Sequence, residues 1–352
     1  MKRCTLDKIA SVTLRLDLDR NAVLGAEIPA LAGSVVAGRV LDAKSVYNQL
    51  EDVHGRMVTL HPGDVIAGAL GHRDALLGYS GHVPESVAPG DILQLLNLGG
   101  VLGVGARPAP GIGAPIRVEV LGAVLEFPFL GRRVGRPASV ARAGLPATDP
   151  VGELPPVVAL VGTSMHAGKT TAAAVIVGEL VRRGLRVAAG KLTGVSLRRD
   201  VLEMQDCGAD PVALFTDFGV VTTDADNAAP AARALLAHLA DAAPDVIVLE
   251  MGDGLLGTYG VHAVLEDPVL RAAIRASVLC AQDPVGAWGG CRLLEENYGL
   301  VPDALSGRVT DNPAGSKFCS ERLKLPAWNA LREGPELAQA MLESLDLQAV
   351  KA

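Results

Sequence analysis

Ten consecutive residues, Gly162-Thr163-Ser164-Met165-His166-Ala167-Gly168-Lys169-Thr170-Thr171, combine the groups needed to hold a chain of phosphates. Gly162 permits a sharp turn, and Gly168 lets backbone N–H groups approach an anion. Lys169 supplies a point charge for the outer phosphates and Thr170 a hydroxyl for Mg²⁺. The stretch is a candidate phosphate loop, with Gly162, Thr163, Ser164, His166, Ala167, Gly168, Lys169, Thr170 and Thr171 as its contacts. Two charged residues downstream extend the chemistry. Lys191, in Gly190-Lys191-Leu192-Thr193-Gly194, can offset charge on a transferring group. Glu250, followed by Met251-Gly252-Asp253-Gly254, can orient Mg²⁺ together with Thr170. Asp200 is a candidate contact to substrate or, through water, to Mg²⁺. His166 either shapes the loop or touches substrate.

These residues require particular elements to position them. Residues 157–161 are five apolar residues with the length and branching of a buried strand. Residues 171–183 are rich in Ala, Val, Ile and Leu, lack proline and stop at Gly184 after two arginines, which predicts a helix. Further strands are predicted at 185–189, 245–249 and 276–280, a short helix within 197–209 and a closing helix at about 335–347. Lys191 and Glu250 then lie at the carboxyl ends of parallel strands, where open α/β sheets bind ligands.

Five residues, instead of the usual four, separate Gly162 from the Gly168-Lys169 pair. This longer loop resembles the G-T-x-x-x-x-G-K-T loops of dethiobiotin synthetase and the cobyrinic acid amide synthases. It is also similar to the P-loop domain of a family that includes a D-glutamate N-acetyltransferase. Glu250-Met251-Gly252-Asp253-Gly254-Leu255-Leu256 resembles the V-E-G-A-G-G-L segment of dethiobiotin synthetase and lies 81 residues after Lys169, near where that family places it. Lys191 resembles the lysine of its G-x-K-P loop, which contacts substrate and phosphate, but no proline follows here. The resemblance covers roughly residues 155–315. By position it makes Asn312 the candidate reader of an adenine edge, and it implies a homodimer with sites near the subunit interface.

The first half reads differently. Between about residues 34 and 130, short apolar runs alternate with Gly, Pro and Asp, the pattern of a small β-barrel or sandwich. Pro62-Gly63-Asp64 and Pro89-Gly90-Asp91 share one turn-then-strand chemistry. Gly99-Gly100-Val101-Leu102-Gly103 precedes no helix pattern, so tight turns are expected in place of a dinucleotide loop. His54, His61, His72 and His82 match no metal-binding spacing; the readings open to them are ordinary loop histidines first, then a contribution to a substrate pocket, and last metal binding. The expected organisation is an α/β protein: a β-rich domain at 1–135, a Pro-, Gly- and Arg-rich linker at 136–155, and a parallel-sheet P-loop NTPase-like domain at 156–352.

Of the 352 residues, 49% are hydrophobic and 20% charged, as in a well-buried globular protein. Up to residue 150 there are 15 Lys and Arg against 14 Asp and Glu, and beyond it 17 against 25. An acidic P-loop half disfavours a nucleic-acid partner. Five scattered cysteines include no C-x-x-C pair, charges run through the first residues, and no uncharged apolar run spans a membrane. A soluble, cytoplasmic protein acting on a small molecule is expected. The function implied is an ATP- and Mg²⁺-dependent ligase or kinase that activates a carboxylate or carbamate. One alternative is an N-acyltransferase whose loop holds the phosphates of a coenzyme A thioester; another is a nucleotide-hydrolysing switch or metallochaperone.

Overall fold

The computed structural model describes residues 1–129 and 131–347. The chain divides into two compact units. The first comprises Met1–Leu145 with Val195–Arg199 and Thr216–Thr222, and the second comprises the remainder.

The first unit is a closed β-barrel. Arg117–Glu126 pairs with Val35–Val40, which pairs with Val65–Leu70, which pairs with Val101–Pro108. Ile92–Asn97 completes the ring by pairing with both Val101–Pro108 and Arg117–Glu126. Closure removes the unpaired strand edges an open sheet of these runs would carry. Val, Leu, Ile and Ala fill its core, including Val36, Ile66, Leu93, Leu102 and Val118.

The two Pro-Gly-Asp turns are built alike. In one, Asp64 N–H donates to the His61 carbonyl and the Asp64 carboxylate accepts from His61 N–H, at 3.1 and 2.6 Å. In the other, Asp91 and Ala88 make the same two bonds at 3.1 and 2.8 Å. Gly63 and Gly90 take the left-handed conformation the turn requires, with φ of 96° and 97°. Each turn feeds a barrel strand. Leu98 to Gly100 likewise form the expected turn, between Ile92–Asn97 and Val101–Pro108.

The boundary differs from the sequence expectation. Residues 136–145 belong to the barrel unit: Arg136–Pro137 pairs with Leu125 and Glu126, and Arg136 and Arg142 both ion-pair with Glu126. Two short segments from the second half join the same unit. Ser196 N–H donates to the Val221 carbonyl at 2.9 Å, and Thr222 Oγ1 to the His72 carbonyl at 2.7 Å. Composition could not reveal this, because the Thr222–His72 contact joins residues 150 apart.

The second unit is an α/β domain with a six-stranded parallel sheet in the order Val212–Leu214, Val187–Thr193, Val246–Met251, Val157–Gly162, Ile274–Cys280, Ala304–Ser306. Near-continuous burial along the four central strands matches their predominance of Val, Ala, Leu and Ile, with Lys191 and Glu250 the buried charged exceptions. The helix after the loop is Lys169–Arg182, and Gly184 follows in the left-handed conformation at φ 85°. The short helix is Arg199–Asp206 and the closing one Gly334–Ser344. Among the described residues no helix is long and apolar enough to cross a membrane.

Candidate phosphate-binding site

The central strand Val157–Gly162 runs directly into the loop, and the loop into the helix that begins at Lys169. Gly168 is the residue before that helix and sits at φ 99°, a conformation costly for any side chain. His166 adopts φ 57° without that freedom, and its side chain is exposed on the outer turn. The strained backbone is the only loop-shaping role visible for it. Thr163 N–H donates to the Cys280 carbonyl at 3.0 Å, and Gln282 Nε2 donates to the Met165 carbonyl at 2.8 Å. The loop is thereby braced from the neighbouring strand end.

Lys169 is buried, and its ammonium donates to the carbonyls of Ser164 and Asp253 at 2.9 and 2.6 Å. Burial pushes its pKa down, opposed first by the nearby Glu250 carboxylate. Thr170 Oγ1 donates to Glu250 Oε1 at 3.1 Å. Glu250 is only 2% exposed, and its other oxygen, Oε2, has no hydrogen-bond partner among the described residues. Burial raises its pKa most strongly; Lys191 opposes that rise and Asp200 adds to it. A carboxylate with one oxygen on the loop threonine and the other unpartnered fits a divalent cation, which takes oxygen ligands.

Lys191 lies directly across the sheet register from Glu250 and ion-pairs with Asp200. The structure therefore brings Lys169, Thr170, Lys191, Asp200 and Glu250 into one cluster, with Asp200 engaged by lysine. The glycine-rich turn after Glu250 closes against the loop: Leu255 N–H donates to the Gly162 carbonyl at 2.9 Å. A Cβ on Gly254 would lie 2.5 Å from the Thr163 carbonyl oxygen, so this close approach needs glycine. Asn312 immediately precedes the helix Pro313–Phe318. Its side-chain oxygen accepts from Ala314 and Gly315 N–H at 3.1 and 3.3 Å, capping the helix Pro313–Phe318.

Sequence reasoning missed Asp253, which acts through its backbone carbonyl, and Gln282. A backbone acceptor leaves no signature in residue type. For Gln282 the available signal was its place just after the strand Ile274–Cys280, beside the loop. Among the described residues no group of three or more His, Cys, Asp or Glu side chains is placed to hold a metal ion, and the four barrel histidines form no such group.

No family model matches the sequence, and no curated protein matches it. Solved structures do resemble it. The signal recognition particle receptor FtsY of Elizabethkingia anophelis is 15% identical, with 55% of this chain and 67% of that chain covered and a TM-score of 0.40. For the cell division protein FtsY of Thermotoga maritima the values are 15%, 60%, 79% and 0.38. A DUF1611 family protein from Anabaena variabilis is 20% identical, covering 59% of this chain and 64% of that one, with a TM-score of 0.40. The phosphate-loop domain stands on its own strand, loop and helix geometry.

Proposed function

We propose that the protein is an ATP- and Mg²⁺-dependent ligase or kinase that transfers the γ-phosphoryl group to a carboxylate or carbamate. The observation that carries this reading is the Thr170–Glu250 pair with its unpartnered buried oxygen. A loop that only held the phosphates of a coenzyme A thioester would have no use for a buried carboxylate at that place. The motif spacing shared with dethiobiotin synthetase supports the choice of acceptor.

Backbone N–H groups of 164–169 and the start of the helix Lys169–Arg182 would cradle the phosphates. Lys169 would exchange its carbonyl partners for phosphate oxygens, a substitution favoured because its charge is buried on two neutral carbonyls. Thr170 and Glu250 would hold Mg²⁺, which when bound neutralises charge on the β- and γ-phosphates. Lys191, oriented by Asp200, would offset charge developing on the transferring group. The turn 252–257 packs against the loop and would limit water at the reacting end.

Phosphoryl transfer to a carboxylate leaves ADP and an acyl phosphate, which hydroxylamine captures as a hydroxamate with release of phosphate. Incubation with Mg-ATP, hydroxylamine and a panel of small carboxylic acids should yield hydroxamate with some member, and none with Lys169→Ala. ADP formation without hydroxamate across the panel would count against a carboxylate acceptor. Acyl transfer from acetyl-coenzyme A in the absence of ATP would replace the proposal altogether.

A further inference from the structure

The barrel unit holds a cluster of two cations and two tyrosines that the phosphate site does not use. Lys44 Nζ donates to Tyr79 Oη at 2.7 Å and to the carbonyls of Ile112, at 2.8 Å, and Ala114. Arg73 is only 7% exposed, and its guanidinium donates to Tyr47 Oη and to the carbonyls of Leu96 and Leu77. The Tyr47 and Tyr79 rings meet edge to face with centroids 5.2 Å apart. Lys44 Nζ lies 5.4 Å from the Tyr79 centroid and Arg73 Cζ 5.7 Å from that of Tyr47, so one pair of rings links both charges.

All these acceptors are neutral. Neither cation forms an ion pair among the described residues, and Asp42, whose charge acts on Lys44, is itself held by Arg117. Carbonyls and hydroxyls satisfy hydrogens without cancelling charge, and burial pushes the Lys44 pKa down. The bonds made by Arg73 leave its Nε–H and one Nη2 hydrogen without a partner among the described residues. That edge of a guanidinium is the one that grips a carboxylate with two parallel bonds. Gly78 keeps a side chain away from the guanidinium: a Cβ there would lie 2.4 Å from Nη2 and 2.9 Å from Cζ.

The same two loops carry exposed apolar side chains, Val46 at 53%, Leu76 at 77% and Leu77 at 48% exposure. Val46 precedes Tyr47 in the chain, and the Leu77 carbonyl holds Arg73. Apolar surface around a few convergent polar groups is the make-up of a small-molecule site. We propose that the barrel unit binds an alkyl carboxylate, its head group between Arg73 and Lys44 and its chain against Val46, Leu76 and Leu77. An anionic membrane would also meet apolar loops, but it is held by cations exposed at its surface, and Arg73 is buried. The binding needs nothing from the phosphate loop.

Titration calorimetry on the full chain tests this with octanoate, acetate, octanol and octylamine as probes. Octanoate should bind at least about tenfold tighter than acetate, a factor that burying about two methylenes supplies. Octanol and octylamine, which lack the anion, should bind at least about tenfold more weakly than octanoate. Lys44→Met should weaken octanoate binding about tenfold, as should Arg73→Lys, which keeps the charge and loses the paired donors. Leu76→Ser, at an exposed position, should weaken octanoate binding and leave acetate binding unchanged. Lys169→Ala should bind octanoate as wild type does, whether or not it binds Mg-ATP. Octylamine binding as tightly as octanoate, or octanoate affinity unchanged in both Lys44→Met and Leu76→Ser, would overturn the proposal. So would binding to phosphatidylglycerol vesicles with none to free octanoate, or loss of octanoate binding in Lys169→Ala. If Lys44→Met or Arg73→Lys does not fold, Leu76→Ser and the wild-type comparison of octanoate with octylamine decide.

Discussion

Gly254→Ala should damage the phosphate loop without touching any charged group. The added Cβ would lie 2.5 Å from the Thr163 carbonyl oxygen and 2.9 Å from Ser164 Cα and Thr163 C. All three are backbone atoms, so no side-chain rotation relieves the clash. An ordinary carbon–oxygen contact is ~3.3–3.6 Å, so the turn and the loop must part by about 1 Å. Two hydrogen bonds flank the contact, Lys169 Nζ to the Asp253 carbonyl at 2.6 Å and Leu255 N–H to the Gly162 carbonyl at 2.9 Å. Separation on that scale breaks or strains both. Overpacking costs about 1–3 kcal/mol and each lost bond about 1 kcal/mol, giving roughly 2–5 kcal/mol. For a unit of this size that corresponds to a fall in Tm of about 5–15 °C in thermal unfolding followed by circular dichroism. Gly289→Ala is the matched control: it lies within the helix Pro284–Tyr298, a Cβ there meets nothing within 4 Å, and the change should stabilise by up to ~1 kcal/mol. A Gly254→Ala protein melting within about 2 °C of wild type would refute the close packing of turn on loop.

Other outcomes follow from the same cluster. Burial raises the pKa of Glu250 above its ordinary 4.5, and only the ionised form can hold Mg²⁺, so Mg-ATP affinity should decline on acidification at a pH above the usual carboxylate range. Its effect on folding has the opposite sign: the native state favours the protonated acid, and that contribution is lost as pH rises through the folded-state pKa. Titration calorimetry across pH should show the affinity decline in wild type, and Glu250→Gln should lose both the Mg²⁺ requirement and this pH dependence. Burial also holds the Cys280 thiol up at about 12 and Cys291 at about 11. A thiol reagent at pH 8 should therefore label Cys4 in the folded protein and leave Cys280 unreacted until denaturant is added; prompt labelling of Cys280 would contradict its place at the buried strand end.

What was legible in the sequence was local. Gly168-Lys169-Thr170, the apolar run before it and the alanine-rich run after it state the loop, strand and helix within one stretch, and the structure has them there. Lys191 and Glu250 were readable because parallel strands deliver their last residues to one edge of the sheet. The paired Pro-Gly-Asp turns were readable because turn chemistry is a property of four residues. Barrel closure was not, since it depends on Ile92–Asn97 pairing on both sides with strands chosen by the whole fold. The pairing of Asp200 with Lys191 was hidden for the same reason. Asn312 carries a local signal of the same kind: Asn followed by proline is a helix start, and the structure uses it as one.

The central claim is that the loop at 162–171 binds a nucleotide through Lys169. Thermal unfolding of wild type and Lys169→Ala, each with Mg-ATP, Mg-GTP or acetyl-coenzyme A, tests it most directly. A ligand at about a hundred times its Kd adds ~2.7 kcal/mol to stability, a readily visible shift in Tm. Stabilisation of wild type by Mg-ATP, absent in Lys169→Ala, is the predicted result. Stabilisation by acetyl-coenzyme A but not by Mg-ATP, or an equal response of the two proteins, would contradict it.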